Sequence, residues 1–165
     1  MKSLSPAVTI VILTVCRFST AQAKVIHVPG DSTTIRSGLR GAGSGDTVLV
    51  APGTYYENII WPAVNGIKLL SEAGAEATII DGLNLTQVLW LGSGQDTSTL
   101  IEGFTIQNGY NINYAGGIQC FDSSPTIRRN TIAKNFGGRG GGVMCFRSQA
   151  VIDGNTIETN AALYW

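Results

Sequence analysis

The segment Gly116-Gly117-Ile118-Gln119-Cys120-Phe121 returns as Gly141-Gly142-Val143-Met144-Cys145-Phe146, displaced by 25 residues at every position. The match runs on. Ser123 recurs as Ser148, and Ile127-Arg128-Arg129-Asn130-Thr131-Ile132 with Asn135 recurs as Ile152-Asp153-Gly154-Asn155-Thr156-Ile157 with Asn160. A weaker copy, Ile101-Glu102-Gly103-Phe104-Thr105-Ile106-Gln107-Asn108, stands 26 residues before its successor, and Ile79-Ile80-Asp81-Gly82 stands about 22 before that. A unit this short cannot bury a core alone, so its copies must stack, and two clear coils with three degenerate ones fill the chain from Asp46.

Within each unit, runs of alternating character such as Gly-Ile-Gln-Cys and Thr-Ile-Ala-Lys are broken by Gly, Asn, Ser and Pro, and no window carries a helical period over twelve residues. The pattern predicts an all-β chain with three short strands per coil, each pairing with its copy at ~4.8 Å to give a parallel β-solenoid of about five coils. With 21 glycines and 2 methionines the composition opposes a helical bundle, while 44% apolar residues suffice for a core. Ile118, Cys120, Ile127 and Ile132 should point inward and stack on Val143, Cys145, Ile152 and Ile157, with Ile101 and Ile106 in the same columns. Asn130 over Asn155 and Asn135 over Asn160 should take the corners, adopting left-handed backbone and stacking their amides. A leucine-rich repeat fits less well, since leucine is scarce in the two clear units and neither has room for a helix. A calcium-binding roll would need aspartates that 137–142, Gly-Gly-Arg-Gly-Gly-Gly, lacks.

These residues resemble the right-handed parallel β-helix proteins of the pectin lyase-like superfamily. The strongest local likeness is the start, where Thr34-Ile35-Arg36-Ser37-Gly38-Leu39 leads to Gly45-Asp46-Thr47-Val48-Leu49-Val50-Ala51-Pro52-Gly53-Thr54-Tyr55 and Glu57-Asn58-Ile59. In that family such a segment is a short amphipathic helix covering the open end of the solenoid. Here the resemblance implies a capping helix over roughly residues 33–40, with Ser32 or Asp31 as its N-cap and Ile35 and Leu39 on its buried face.

Residues 1–23 read as a secretory leader: Lys2, an apolar run over 7–15, and the small-x-small site Ala21-Gln22-Ala23. The apolar run is about half what a membrane span needs. Cys16 lacks the small residue that a lipoprotein site wants before it, Val15 standing there. The expected organisation is a leader (1–23), an N-terminal strand and capping helix (24–45), and coils over 46–165 that end without a cap. The destination is extracellular, cell-surface or periplasmic, with no membrane span after cleavage.

Eleven acids balance eleven bases, which argues against a nucleic-acid partner. One histidine and three cysteines, none in a Cys-x-x-Cys pair, offer no metal site, and nothing implies a cofactor. The resemblance implies acidic polysaccharide as the ligand class, but the family's catalytic signatures are missing: isoleucine follows Asn130-Thr131 and Asn155-Thr156 where an acid would stand. No catalytic residue is assigned. His27 belongs to an initial strand, and Asp81 is a turn former. Cys120 and Cys145, one coil apart, form either a disulfide or a core thiol ladder. Arg128 should pair with Asp153. Arg128, Arg129 and Arg147, with Phe121 and Phe146 turned outward, are the candidate glycan-binding residues. Two readings follow. One is a structural or glycan-binding module without catalytic residues of its own; the other is the N-terminal part of a polysaccharide lyase, hydrolase or epimerase whose site lies further on. The uncapped last coil invites self-association.

Overall fold

In the computed structural model, which describes residues 22–164, the chain winds into a right-handed parallel β-helix. The first sheet has six strands, β1 (Val25–Val28), β2 (Thr47–Val50), β5 (Lys68–Ser71), β8 (Leu100–Glu102), β12 (Thr126–Arg128) and β16 (Val151–Asp153). The second has five: β3 (Gly53–Tyr56), β6 (Thr78–Asp81), β9 (Thr105–Gln107), β13 (Thr131–Ala133) and β17 (Thr156–Glu158). The third stacks β4 (Ile59–Ile60), β7 (Leu89–Leu91), β11 (Ile118–Phe121) and β15 (Val143–Phe146). The solenoid is thus one turn longer than the repeat predicts, because β1 joins the first sheet instead of standing apart from the coils. A fourth strand enters the later coils: β10 (Tyr110–Asn111), β14 (Phe136–Gly137) and β18 (Ala161–Ala162) form a narrow extra sheet. The expected leader, residues 1–23, lies outside the described residues apart from Gln22 and Ala23.

The repeat fixes the register. Ile127 pairs with Ile101 and Ile152, Ile132 with Ile106 and Ile157, and Cys120 with Leu91 and Cys145. Inside the stack these columns are dry, with Ile101, Ile106, Ile118, Cys120, Ile127 and Ile132 fully buried. Ile152 and Ile157 continue the columns but remain 45% and 50% exposed, since among the described residues no further coil packs on theirs.

The asparagines stack as expected but do not take the left-handed backbone. That conformation falls on the residue before each: Arg129 (φ 52°) and Gly154 (φ 59°) at one corner, Lys134 (φ 57°) and Thr159 (φ 52°) at the next. The reason is the job each asparagine does. Asn130 reaches back one coil, its Oδ1 accepting the Phe104 N–H at 3.0 Å and its Nδ2 donating to the Ile101 carbonyl at 3.1 Å. Asn135 serves Gly109 and Ile106 in the same way, at 2.8 and 3.0 Å. The left-handed residue makes the bend that aims the amide at those groups.

The open N-terminal end is closed by α1 (Ile35–Gly41), whose Ile35 and Leu39 are buried. Its cap is Thr34, not Ser32 or Asp31: Thr34 Oγ1 accepts the Ser37 N–H at 3.0 Å, and Ser37 Oγ accepts the Thr34 N–H at 3.3 Å. Asp31 is occupied elsewhere, accepting the His27 N–H at 2.8 Å. The first coil then holds the helix through Glu57, whose carboxylate accepts the N–H groups of Ile35 and Arg36 at 2.8 and 2.9 Å. Gly38 allows close seating, because a Cβ there would stand 3.1 Å from Val48 and 3.2 Å from Val28.

Candidate functional site

The five residues singled out from the sequence fall into two groups, at opposite ends of the first sheet's strands. Arg128 closes β12 and Arg129 is the bend that follows, whereas Phe121, Phe146 and Arg147 precede β12 and β16.

Both groups have their charge met from within. Arg128 Nε lies 2.8 Å from Glu102 Oε2, and Arg129 Nη1 lies 3.1 Å from Glu102 Oε1. The expected pair between Arg128 and Asp153 is replaced by this one. Arg128 has an acid at both of its register positions, and Glu102, more sheltered than Asp153, offers one carboxylate oxygen to each guanidinium. At the other corner the rings of Phe121 and Phe146 stack with centroids 4.8 Å apart, so that their faces are turned toward each other along the axis. Arg147 lies over both, 5.7 and 5.2 Å from the centroids, and its Nε meets Asp122 Oδ1 at 3.0 Å.

The remaining candidates are also engaged. Asp81 Oδ1 accepts the Leu83 N–H at 2.9 Å, and its Oδ2 accepts from Gln107 at 2.9 Å and Asn108 at 2.7 Å. It shapes its own turn and ties that turn to the next coil. His27 sits in β1 with Nδ1 3.6 Å from Glu72. Cys120 and Cys145 are free thiols in register, the first buried and the second exposed. The hydrogen bond from Cys120 lowers the Cys145 thiol to about 7 against a smaller opposing effect of partial burial, and Ser148 adds to the lowering. The same bond, together with burial, raises Cys120. Among the described residues no His, Cys, Asp and Glu side chains gather as a metal site, and no helix is long and apolar enough to cross a membrane.

One further site was not found from the repeat. Beside the fourth sheet, Ile112, Asn113, Tyr114, Arg139 and Tyr164 line an open cavity of about 540 Å³, and a second of about 410 Å³ shares Ile112 and is lined also by Leu85 and Tyr110. The Arg139 guanidinium, the Asn113 amide and the hydroxyls of Tyr114 and Tyr164 have no hydrogen-bond or ion-pair partner among the described residues. The wall beneath them is firm. Gly138 N–H donates to the carbonyls of Asn111 and Tyr114 at 2.7 and 2.8 Å, and Tyr164 N–H donates to Gly138 at 2.8 Å. Asn111 Oδ1 accepts the N–H groups of Asn113 and Tyr114 at 3.0 and 3.1 Å, fixing the bend between them. A side chain at Gly137 would run into the Tyr114 carbonyl, so glycine is what lets the loop lie this close.

A signal for this groove exists in the spacing. The register offset is 26 where Tyr110 pairs with Phe136 and 25 where Ala115 bridges Gly140. The extra residue lies between Asn111 and Ala115, where it bulges the loop that carries Ile112, Asn113 and Tyr114 outward.

Stacked parallel coils closed by an N-terminal helix define a β-helix repeat protein. The chain belongs to DUF1565, a family of proteins of unknown function, which it matches over residues 72–164. No curated protein and no solved structure matches it.

Proposed function

We propose that this chain is a secreted β-helix module that binds an acidic glycan along the groove beside the fourth sheet and does not cleave it. The observation that carries the reading is the set of unpartnered polar groups around exposed aromatic rings: Arg139, Asn113, Tyr114 and Tyr164. Tyrosine rings offer apolar faces to the C–H side of a sugar while their hydroxyls bond at the rim. A free guanidinium matches a carboxylate or sulfate with two parallel hydrogen bonds. The cavities fall within the usual small-ligand range of about 300–1,000 Å³. Arg128, Arg129 and Arg147, already held by Glu102 and Asp122, lie with the Phe121 and Phe146 rings at the two ends of the first sheet's strands, away from the groove, and are assigned only a secondary, salt-screened role. Binding without turnover is favoured by the register. Cleaving a glycosidic bond uses two carboxyl groups about 5–9.5 Å apart, yet no paired strand position sets one acid over another: Asp153 pairs with Arg128 and Glu158 with Ala133.

The test is titration with uronate-containing, sulfated and neutral oligosaccharides at low salt, alongside an assay for released reducing ends or unsaturated products. The acidic chains should bind, with Arg139→Gln and Tyr164→Ala each weakening binding at least tenfold and Arg147→Gln far less. Equal binding of neutral chains, or indifference to Arg139→Gln, would remove the groove from the reading. Turnover abolished by Asp81→Ala or Asp153→Ala would make the chain an enzyme.

A further inference from the structure

The backbone nitrogen of Lys24 lies 2.9 Å from Asp46 Oδ1. The other carboxylate oxygen accepts the Gly43 N–H at 2.7 Å and stands 3.8 Å from Lys24 Nζ, which itself donates to the carbonyl of Gly41, the last residue of α1, at 2.9 Å. Asp46 is 6% exposed, whereas Gln22, Ala23 and Lys24 are exposed. A carboxylate this sheltered is thus met at one oxygen by a peptide N–H that carries one proton and only a partial charge.

We propose that hydrolysis of the Ala23–Lys24 bond turns this contact into an ion pair, making Asp46 the receptor for a newly made N-terminus. Water adds across the amide, the carboxylate leaves with Ala23, and the Lys24 nitrogen takes up a proton to become an α-ammonium where the N–H had been. The proposal rests on the leader reading, through the small-x-small site Ala21-Gln22-Ala23. It goes beyond it in that the folded protein is built to be tightest only after processing. The lid of the solenoid gains directly, since the same corner ties β1, the end of α1 and the start of β2 together. Asp46 is already held below the ordinary carboxylate range, first by the Lys24 and then by the Gly43 backbone hydrogen bond, so it is ionised when the amine arrives.

The sign of the pH dependence follows. An α-amine titrates near 7.7–8.0 when unperturbed, about the value it has in the unfolded chain. Pairing raises it in the folded state, so the added stability is fully present below that pH and is lost as pH rises through the folded value. The charged groups at this corner are Asp46 and the Lys24 ε-ammonium; the Gly41 and Gly43 backbone groups are neutral.

The N-terminal residue of the protein exported from the full chain is determined first, and Lys24 is expected; any other start overturns the proposal through its leader step alone. The chain beginning at Lys24 is then compared with the same chain acetylated on its α-amine, and with one that retains Gln22-Ala23. At pH 6 the free-amine form should melt a few degrees higher than both, and the gap should close between about pH 8 and 10. In Asp46→Asn the gap should vanish. Should that variant fail to fold, the ¹⁵N-labelled Lys24 α-amine is titrated in the wild type, and a value above that of the unfolded chain is expected. Equal melting of the three forms at pH 6, a gap that survives Asp46→Asn, or an unshifted α-amine would each overturn the anchor.

Discussion

Cys120 and Cys145 occupy the same column one coil apart, yet their surroundings give them opposite chemistry. Cys120 is sealed between Leu91 and Cys145, and the hydrogen bond to Cys145 together with burial raises its thiol. Cys145 has its inner side on Cys120 and its outer side at the open end of the solenoid, so it receives that hydrogen bond while staying accessible. Alkylation of the folded protein should therefore label Cys145 alone, with a rate that rises through an inflection near pH 7. In Cys120→Ala the inflection should move up toward the ordinary thiol value of about 8.5. Equal labelling of both cysteines, followed by peptide mass mapping, would show that the column is not packed as described.

The corner, not the strand, is the element on which the stack depends. Asn130 is buried and satisfies one N–H and one carbonyl of the coil before it, whereas Asn155 does the same for Asn130 and Ile127 at the half-open end. Asn130→Ala strands two buried backbone groups at about 1–3 kcal/mol each, so a loss of about 2–6 kcal/mol is expected in chemical denaturation, against about 1 kcal/mol for Asn155→Ala, where water can reach the freed groups. Equal effects at the two positions would separate the ladder from stability. These corners were legible because both units keep asparagine at the same two positions, although the left-handed residue before each differs. Other features were not, for physical reasons. Four polar residues, Asp31 to Thr34, can each cap a helix, and only the His27 backbone, by engaging Asp31, and the Ser37 hydroxyl settle on Thr34. Glu102 wins Arg128 from Asp153 across the weaker, 26-residue copy, where sequence likeness gives least warning. The groove rests on one extra residue at Ile112–Tyr114, and periodicity reads what repeats rather than what interrupts it.

Over the whole molecule, burial is lopsided. The N-terminal end is closed by α1, but the last coil leaves Val151, Ile152 and Ile157 44%, 45% and 50% exposed and presents unpaired strand edges. Amides of β16 and β17 should exchange faster than those of β8 and β9 by orders of magnitude, and sedimentation should reveal concentration-dependent association that a single lysine at Ile152 or Ile157 suppresses. Uniform slow exchange in a strict monomer would contradict both. The backward reach of the asparagines has a consequence in time as well as in space. Because the Asn130 and Asn135 side chains complete groups on turns already laid down, while their own backbone N–H groups wait for the residues one period later, the winding has a direction. Each newly emerging stretch finds a finished surface to crystallise on, seeded at the lid, and a chain delivered N-terminus first through a narrow exit can fold as it arrives.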